Sequence, residues 1–119
     1  MESIKIDCGI REFRINGKGA LRFNPADPNV YARFEEFMGT LPRMAEETAD
    51  LQTLDTRLKK ELGQVYPGND FHKIMGGVSL LALAGNGRQV LINLMDALIP
   101  IMEQGMEEYA DALAAQVVD

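Results

Sequence analysis

A chain of 119 residues is the size of one domain, long enough for a modest core and short enough for a partner or a second copy to complete it. Its 46% apolar and 25% charged residues are those of a soluble globular protein rather than a disordered tail. The net charge of −6 argues against a nucleic-acid surface, because phosphates are held by clustered Lys and Arg and the basic residues here are scattered.

The chain opens with Ile4, Ile6 and Cys8 alternating with Lys5 and Asp7, the two-residue period of a half-buried strand. After Gly9, Phe13 and Ile15 alternate with Glu12 and Arg14, and Leu21 and Phe23 flank Arg22. Asn16-Gly17 between these runs is a hairpin signal. A two-residue turn would place Leu21 and Phe23 on the wrong face. A three-residue loop pairs Phe13 with Leu21, and a five-residue loop pairs Phe13 with Phe23. The expectation is therefore an odd loop, or a bulge near Gly17 or Gly19, in a hairpin or a three-stranded sheet.

Asp27-Pro28 is a helix start: the Asp27 carboxylate accepts from an orphan amide, and Pro28 has the φ of a first helical residue. Val30, Tyr31, Phe34, Phe37, Met38 and Leu41 follow at helical spacing, and Gly39 and Pro42 are expected to end or kink this helix. From Arg43 to Tyr66 the pattern predicts one long helix with a narrow stripe of Met44, Leu51, Leu54, Leu58, Leu62 and Val65. Glu46, Glu47, Asp50, Asp55, Lys59 and Lys60 are read as its solvated side.

Asp70 is placed to cap a short turn from Phe71 to Met75, and Gly76-Gly77 breaks the chain again. Val78 to Ala84 suits either a helix or a buried extended segment, and Asn86 in Gly85-Asn86-Gly87 is a candidate cap. The last helix is expected from about Arg88 to about Ala115. Leu91, Leu94, Met95, Leu98, Met102, Met106, Tyr109 and Leu113 line one face, while Val90, Ile92, Ile99 and Ile101 spill onto others. Pro100 predicts a kink and an unpaired carbonyl near Asp96. The fold class is α+β: a β-hairpin region over 1–25 and a mainly helical body over 28–119, forming one domain with a long C-terminal helix.

Chemistry-bearing constellations are sparse. His72 and Cys8 are the only residues of their kinds and lie far apart in sequence, which is weak support for a metal or a Cys-His nucleophile. They are read as an exposed loop histidine and a strand thiol on the buried face. Glu103 and Glu107 share a helix face but lack the histidines of a bundle metal site. Gly85-Asn86-Gly87-Arg88 lacks both the third glycine of a dinucleotide loop and the Lys-Ser/Thr end of a triphosphate loop. Arg11, Arg14, Lys18 and Arg22 read as a solvated hairpin face that guards the sheet edge. No acid, base and nucleophile can be assembled, so the expectation is no enzyme and no cofactor.

A single cysteine fits a reducing compartment, and Met1 to Ile6 lack a signal-peptide core. The most apolar window, Val90 to Met102, is about thirteen residues long and holds Asn93 and Asp96, where a membrane span needs about twenty residues. The expectation is a cytoplasmic protein.

The run Phe13-Arg14-Ile15-Asn16-Gly17-Lys18, followed by Leu21-Arg22-Phe23-Asn24-Pro25-Ala26-Asp27, resembles the start of the tail assembly chaperones of siphovirus-type bacteriophages and prophages. The aromatic helix from Tyr31 to Phe37, the charged helix after it, the Ala82-Leu83-Ala84-Gly85-Asn86-Gly87 loop and the closing apolar helix extend the likeness. The resemblance implies binding of the tape measure protein and the tail tube protein, which are kept soluble in the bacterial cytoplasm until the tube polymerises. A virion component, such as a connector or tube-associated protein, and a small regulatory or antitoxin-like protein are the alternatives. The seam positions Leu51 and Leu58, the surplus apolar Ile92 and Ile99, and the adaptable methionines Met102 and Met106 are the candidate partner-binding residues. The same surface suits a homo-oligomer.

Overall fold

The computed structural model describes residues 1–118, with side chains through residue 116. Strands β1 (Arg11–Ile15) and β2 (Gly19–Phe23) form an antiparallel two-stranded sheet. Three residues connect them, with Asn16 and Gly17 both left-handed at φ 53 and 71. Phe13 faces Leu21 and Arg11 faces Phe23, the register of the odd, three-residue loop. Phe13, Ile15, Leu21 and Phe23 therefore share one face; Leu21 and Phe23 are buried, and Phe13 and Ile15 are half-buried at the sheet edge.

The expected strand through Ile4, Ile6 and Cys8 does not form. Residues 1–10 have no regular structure and are exposed, Cys8 included. A hairpin back onto β1 through Gly9-Ile10 that kept the apolar residues on the core face would set Asp7 beside Glu12 and Lys5 beside Arg14. Like charges directly opposite are destabilising. Gly9 instead takes φ 70, and the Asn24 Nδ2 donates to the Cys8 carbonyl at 3.0 Å.

Helix α1 (Pro28–Glu47) begins as expected, with the Asp27 carboxylate accepting the Asn29 N–H at 2.9 Å. It does not end at Gly39 or Pro42. Proline in a helix interior costs about 3 kcal/mol, and burying a methionine returns about 1.5–3 kcal/mol. Pro42 is exposed, and continuation places Met44 in the core at 2% exposure. The single long helix expected over 43–66 is thus two: Arg43 to Glu47 belong to α1, and α2 spans Leu51–Val65. Asp50 makes the boundary, accepting both the N–H and the hydroxyl of Thr53, at 3.0 and 2.7 Å. These bonds hold its carboxyl below the ordinary value.

Leu54, Leu58, Leu62 and Val65 form the buried stripe of α2. Two residues assigned to its solvated side are not solvated. Lys59 is buried and pairs with Asp55 at 2.9 Å, and the other Asp55 oxygen accepts the Leu80 N–H at 2.7 Å. The aliphatic stem of Lys59 thus packs in the core, with its charge held by a carboxylate on the same helix.

Asp70 caps the short α3 (Phe71–Ile74), and Gly76 and Gly77 follow at φ 61 and 85. The ambiguous stretch from Val78 is neither a helix nor a named strand. Its carbonyls serve the next helix: Ala82 accepts the Val90 N–H at 2.9 Å and Leu80 accepts the Leu91 N–H at 2.8 Å. Helix α4 (Val90–Val118) starts there. Asn86 accepts the Arg88 N–H, just before the helix, and exchanges side-chain bonds with Asn93. Pro100 lies within α4, which runs on without interruption.

The core draws on β2, α1, α2, α3 and α4. Through it run the rings of Phe13, Phe23, Tyr66 and Phe71, with successive centroids 5.1, 4.7 and 6.1 Å apart. Two other close approaches fix the layers. Gly19 lies against the backbone of Ile74, where a Cβ would come within 2.6 Å of the carbonyl oxygen. Gly105 of α4 lies against the Pro25 carbonyl with no room for a Cβ. Asn69 caps the outer edge of β2 at Arg22: its Oδ1 accepts the Arg22 N–H at 2.8 Å, and its Nδ2 donates to the Arg22 carbonyl at 2.9 Å.

Candidate partner-binding surface

The amphipathic α1 and the more broadly apolar α4 meet along one side of the body. Between them opens a cleft of about 260 Å³. Tyr31, Phe34, Glu35 and Met38 line it from α1, and Ile99, Met102 and Glu103 from α4. Phe34 and Met102 are buried at its base, and Tyr31, Met38 and Ile99 are half-buried on its walls. The two carboxylates, Glu35 and Glu103, stand exposed at its mouth. Along α4 the same side continues through half-buried Met106 to Tyr109 and Leu113, exposed at 36% and 43%. An apolar slot with an acidic rim suits a bulky aliphatic or aromatic side chain flanked by Lys or Arg.

The six candidate residues separate in this geometry. Ile99 and Met102 come together in the cleft, and Met106 lies one turn beyond. Met102 is fully buried, so it forms the base of the slot and is not itself a free surface. Leu58, at 2% exposure, belongs to the core and offers nothing to a partner, because α2 buries it there together with Leu54 and Leu62. Leu51 is 68% exposed in the first turn of α2, and Ile92 is 39% exposed near the start of α4; neither lines the cleft. Tyr31, Glu35 and Met38 were not singled out from sequence. Their helical spacing was visible, but it reads equally well as the core face of α1, and only the crossing of α4 distinguishes wall from core.

A second cleft, between α1 and α2, is polar. Its guanidinium groups are engaged by the chain itself. Arg43 and Arg57 both pair with Glu47, at 3.6 and 3.3 Å, and the Arg33 Nε donates to the Val65 carbonyl at 3.1 Å. This clasp ties the end of α1 to α2. His72 is exposed in α3, and among the described residues no three His, Cys, Asp or Glu side chains group as metal ligands. Among the same residues no helix is long and apolar enough to cross a membrane.

Compared with protein-family models, with curated proteins and with solved structures, the chain matches none.

Proposed function

We propose that this chain is a tail assembly chaperone of a tailed bacteriophage, acting in the host cytoplasm by reversible binding of the tape measure and tail tube proteins. The observation that carries the reading is the acid-rimmed apolar cleft of Ile99, Met102, Tyr31 and Met38, joined to the hairpin motif that resembles that family. A holding chaperone requires no catalytic group. It requires an acidic, soluble body and an adaptable apolar slot that releases its client, and methionine walls suit irregular side chains. The client is an amphipathic helix with apolar anchors at helical spacing and basic residues beside them.

The test is co-expression with the product of the neighbouring long helical gene, followed by pull-down. Ile99→Glu adds a third carboxylate to the slot and is expected to reduce capture about tenfold or more. Undiminished capture by a folded Ile99→Glu variant would sink the assignment of the cleft. Mass spectrometry of purified particles is expected to find none of this chain; stoichiometric recovery in the particle overturns the chaperone reading in favour of a virion component.

A further inference from the structure

The β1 edge of the sheet is open along its length, while the β2 edge is capped at Arg22. Arg22 gives both its backbone groups to Asn69, so the facing pair Glu12–Arg22 is one that exchanges no bonds across the hairpin. The N–H and C=O of Glu12 and Arg14 therefore point away from β2, and among the described residues they have no backbone or side-chain partner. On the same side the apolar face is unfinished, with Phe13 and Ile15 only half-buried.

The exposed segment from Ser3 to Cys8 has the matching pattern, with Ile4 and Ile6 exposed at 85% and 75%. No short return in its own chain gives both charges an opposite partner: one through Cys8-Gly9 sets Lys5 beside Glu12 but leaves Asp7 beside Ile10. The antiparallel return through Gly9-Ile10 opposes Asp7 to Glu12 and Lys5 to Arg14. A parallel return needs a crossover of about a dozen residues, and only two are available. From a second copy the parallel arrangement is open. Setting Lys5 beside Glu12 and Asp7 beside Arg14 also sets Ile6 beside Phe13 and Cys8 beside Ile15. Of the registers that keep the apolar residues on the core face, it alone gives both charges an opposite partner.

We propose that the segment Ser3–Cys8 of one copy adds as a parallel strand to the β1 edge of another, so that the chain self-associates by strand donation. Glu12 N–H then donates to the Ile4 carbonyl and Ile6 N–H to the Glu12 carbonyl. Arg14 N–H donates to the Ile6 carbonyl and Cys8 N–H to the Arg14 carbonyl. Phe13 and Ile15 are covered in the same step.

Sedimentation of the full chain over a concentration series is expected to show self-association. The Lys5→Glu, Asp7→Lys double variant is expected to weaken it about tenfold or more, and adding Glu12→Lys with Arg14→Glu to restore it. A chain that stays monomeric at its solubility limit, or a charge swap without effect, overturns the proposal. Register is read by oxidation of Ile15→Cys and Phe13→Cys variants in mixtures of isotopically labelled and unlabelled chains. Cross-linking between copies from Cys8 to position 15 is expected. Cross-linking through position 13 alone signifies an antiparallel register and overturns the parallel one, and links confined to one chain overturn donation between copies.

Discussion

Tyr66 is fully buried between Phe23 and Phe71, and its hydroxyl has no hydrogen-bond partner among the described residues. Tyr66→Phe removes one oxygen and leaves the ring contacts in place. An unbonded buried hydroxyl costs about 1–3 kcal/mol. The vacated space is smaller than a methyl group, so little of that is lost again. The variant is expected to be more stable by about 1–2 kcal/mol, which for a domain of this size raises the melting temperature by about 3–8 °C. A second signature lies at high pH. Burial pushes the Tyr66 hydroxyl well above its ordinary value of 10.0. Above that ordinary value the unfolded chain has lost the proton and the folded chain has kept it, so the unfolded state binds fewer protons. The stability of the wild type should then fall with rising pH by about 1.4 kcal/mol per unit from this group alone. Below pH 10 the contribution is fully present. Urea melts followed by circular dichroism from pH 7 to 11, for both proteins, isolate the difference, because every other titrating group is common to them. A destabilised Tyr66→Phe protein, or identical alkaline slopes, would refute the account of this hydroxyl.

Gly105→Ala drives a methyl group into the Pro25 carbonyl, where backbone must move on one side or the other. It is expected to cost about 1–3 kcal/mol by denaturant melting, despite the gain in helix propensity. The buried pair on α2 predicts an asymmetry. Asp55→Ala strands the Lys59 ammonium and leaves the Leu80 N–H without its acceptor, for an expected loss of about 3–5 kcal/mol. Lys59→Met keeps the volume and leaves the partly exposed Asp55 carboxylate the Leu80 N–H alone, so a smaller loss of about 1–3 kcal/mol is expected in the same assay. A larger loss from Lys59→Met than from Asp55→Ala would contradict this picture of the pair.

What could be read from the residues followed the strength of the local constraint. The parity of Phe13, Ile15, Leu21 and Phe23 demanded an odd loop, because a slip of one residue turns a whole strand face outward; the three-residue loop obeys it. Asp27-Pro28 and Asp70 announced helix starts that are found where they stand. Errors came where distant groups decide. Pro42 lost to the burial of Met44 and to the cap at Asp50, which α1 meets only by continuing. The alternation from Ile4 to Cys8 has the period of a strand but forms none: the return through Gly9-Ile10 would set like charges opposite, and the segment stays irregular. Lys59 was placed in solvent because nothing within its own helix foretells the Leu80 amide that orients its partner Asp55. The cleft was half legible: Ile99 stood out as a surplus apolar residue and Met102 as an adaptable methionine on α4, while the α1 wall opposite them depends on a helix crossing that no local pattern encodes.

The two hydrogen bonds from Asn69 to Arg22 have a consequence for the side on which the sheet can be extended. A sheet with two bare edges is bifunctional and can polymerise through its backbone without limit. By occupying both main-chain groups of Arg22, one amide side chain leaves only those of Ala20 free along the β2 edge, so a further strand is directed to the β1 edge. The side from which this sheet can be extended thus rests on a single residue in the turn between α2 and α3, not on either strand.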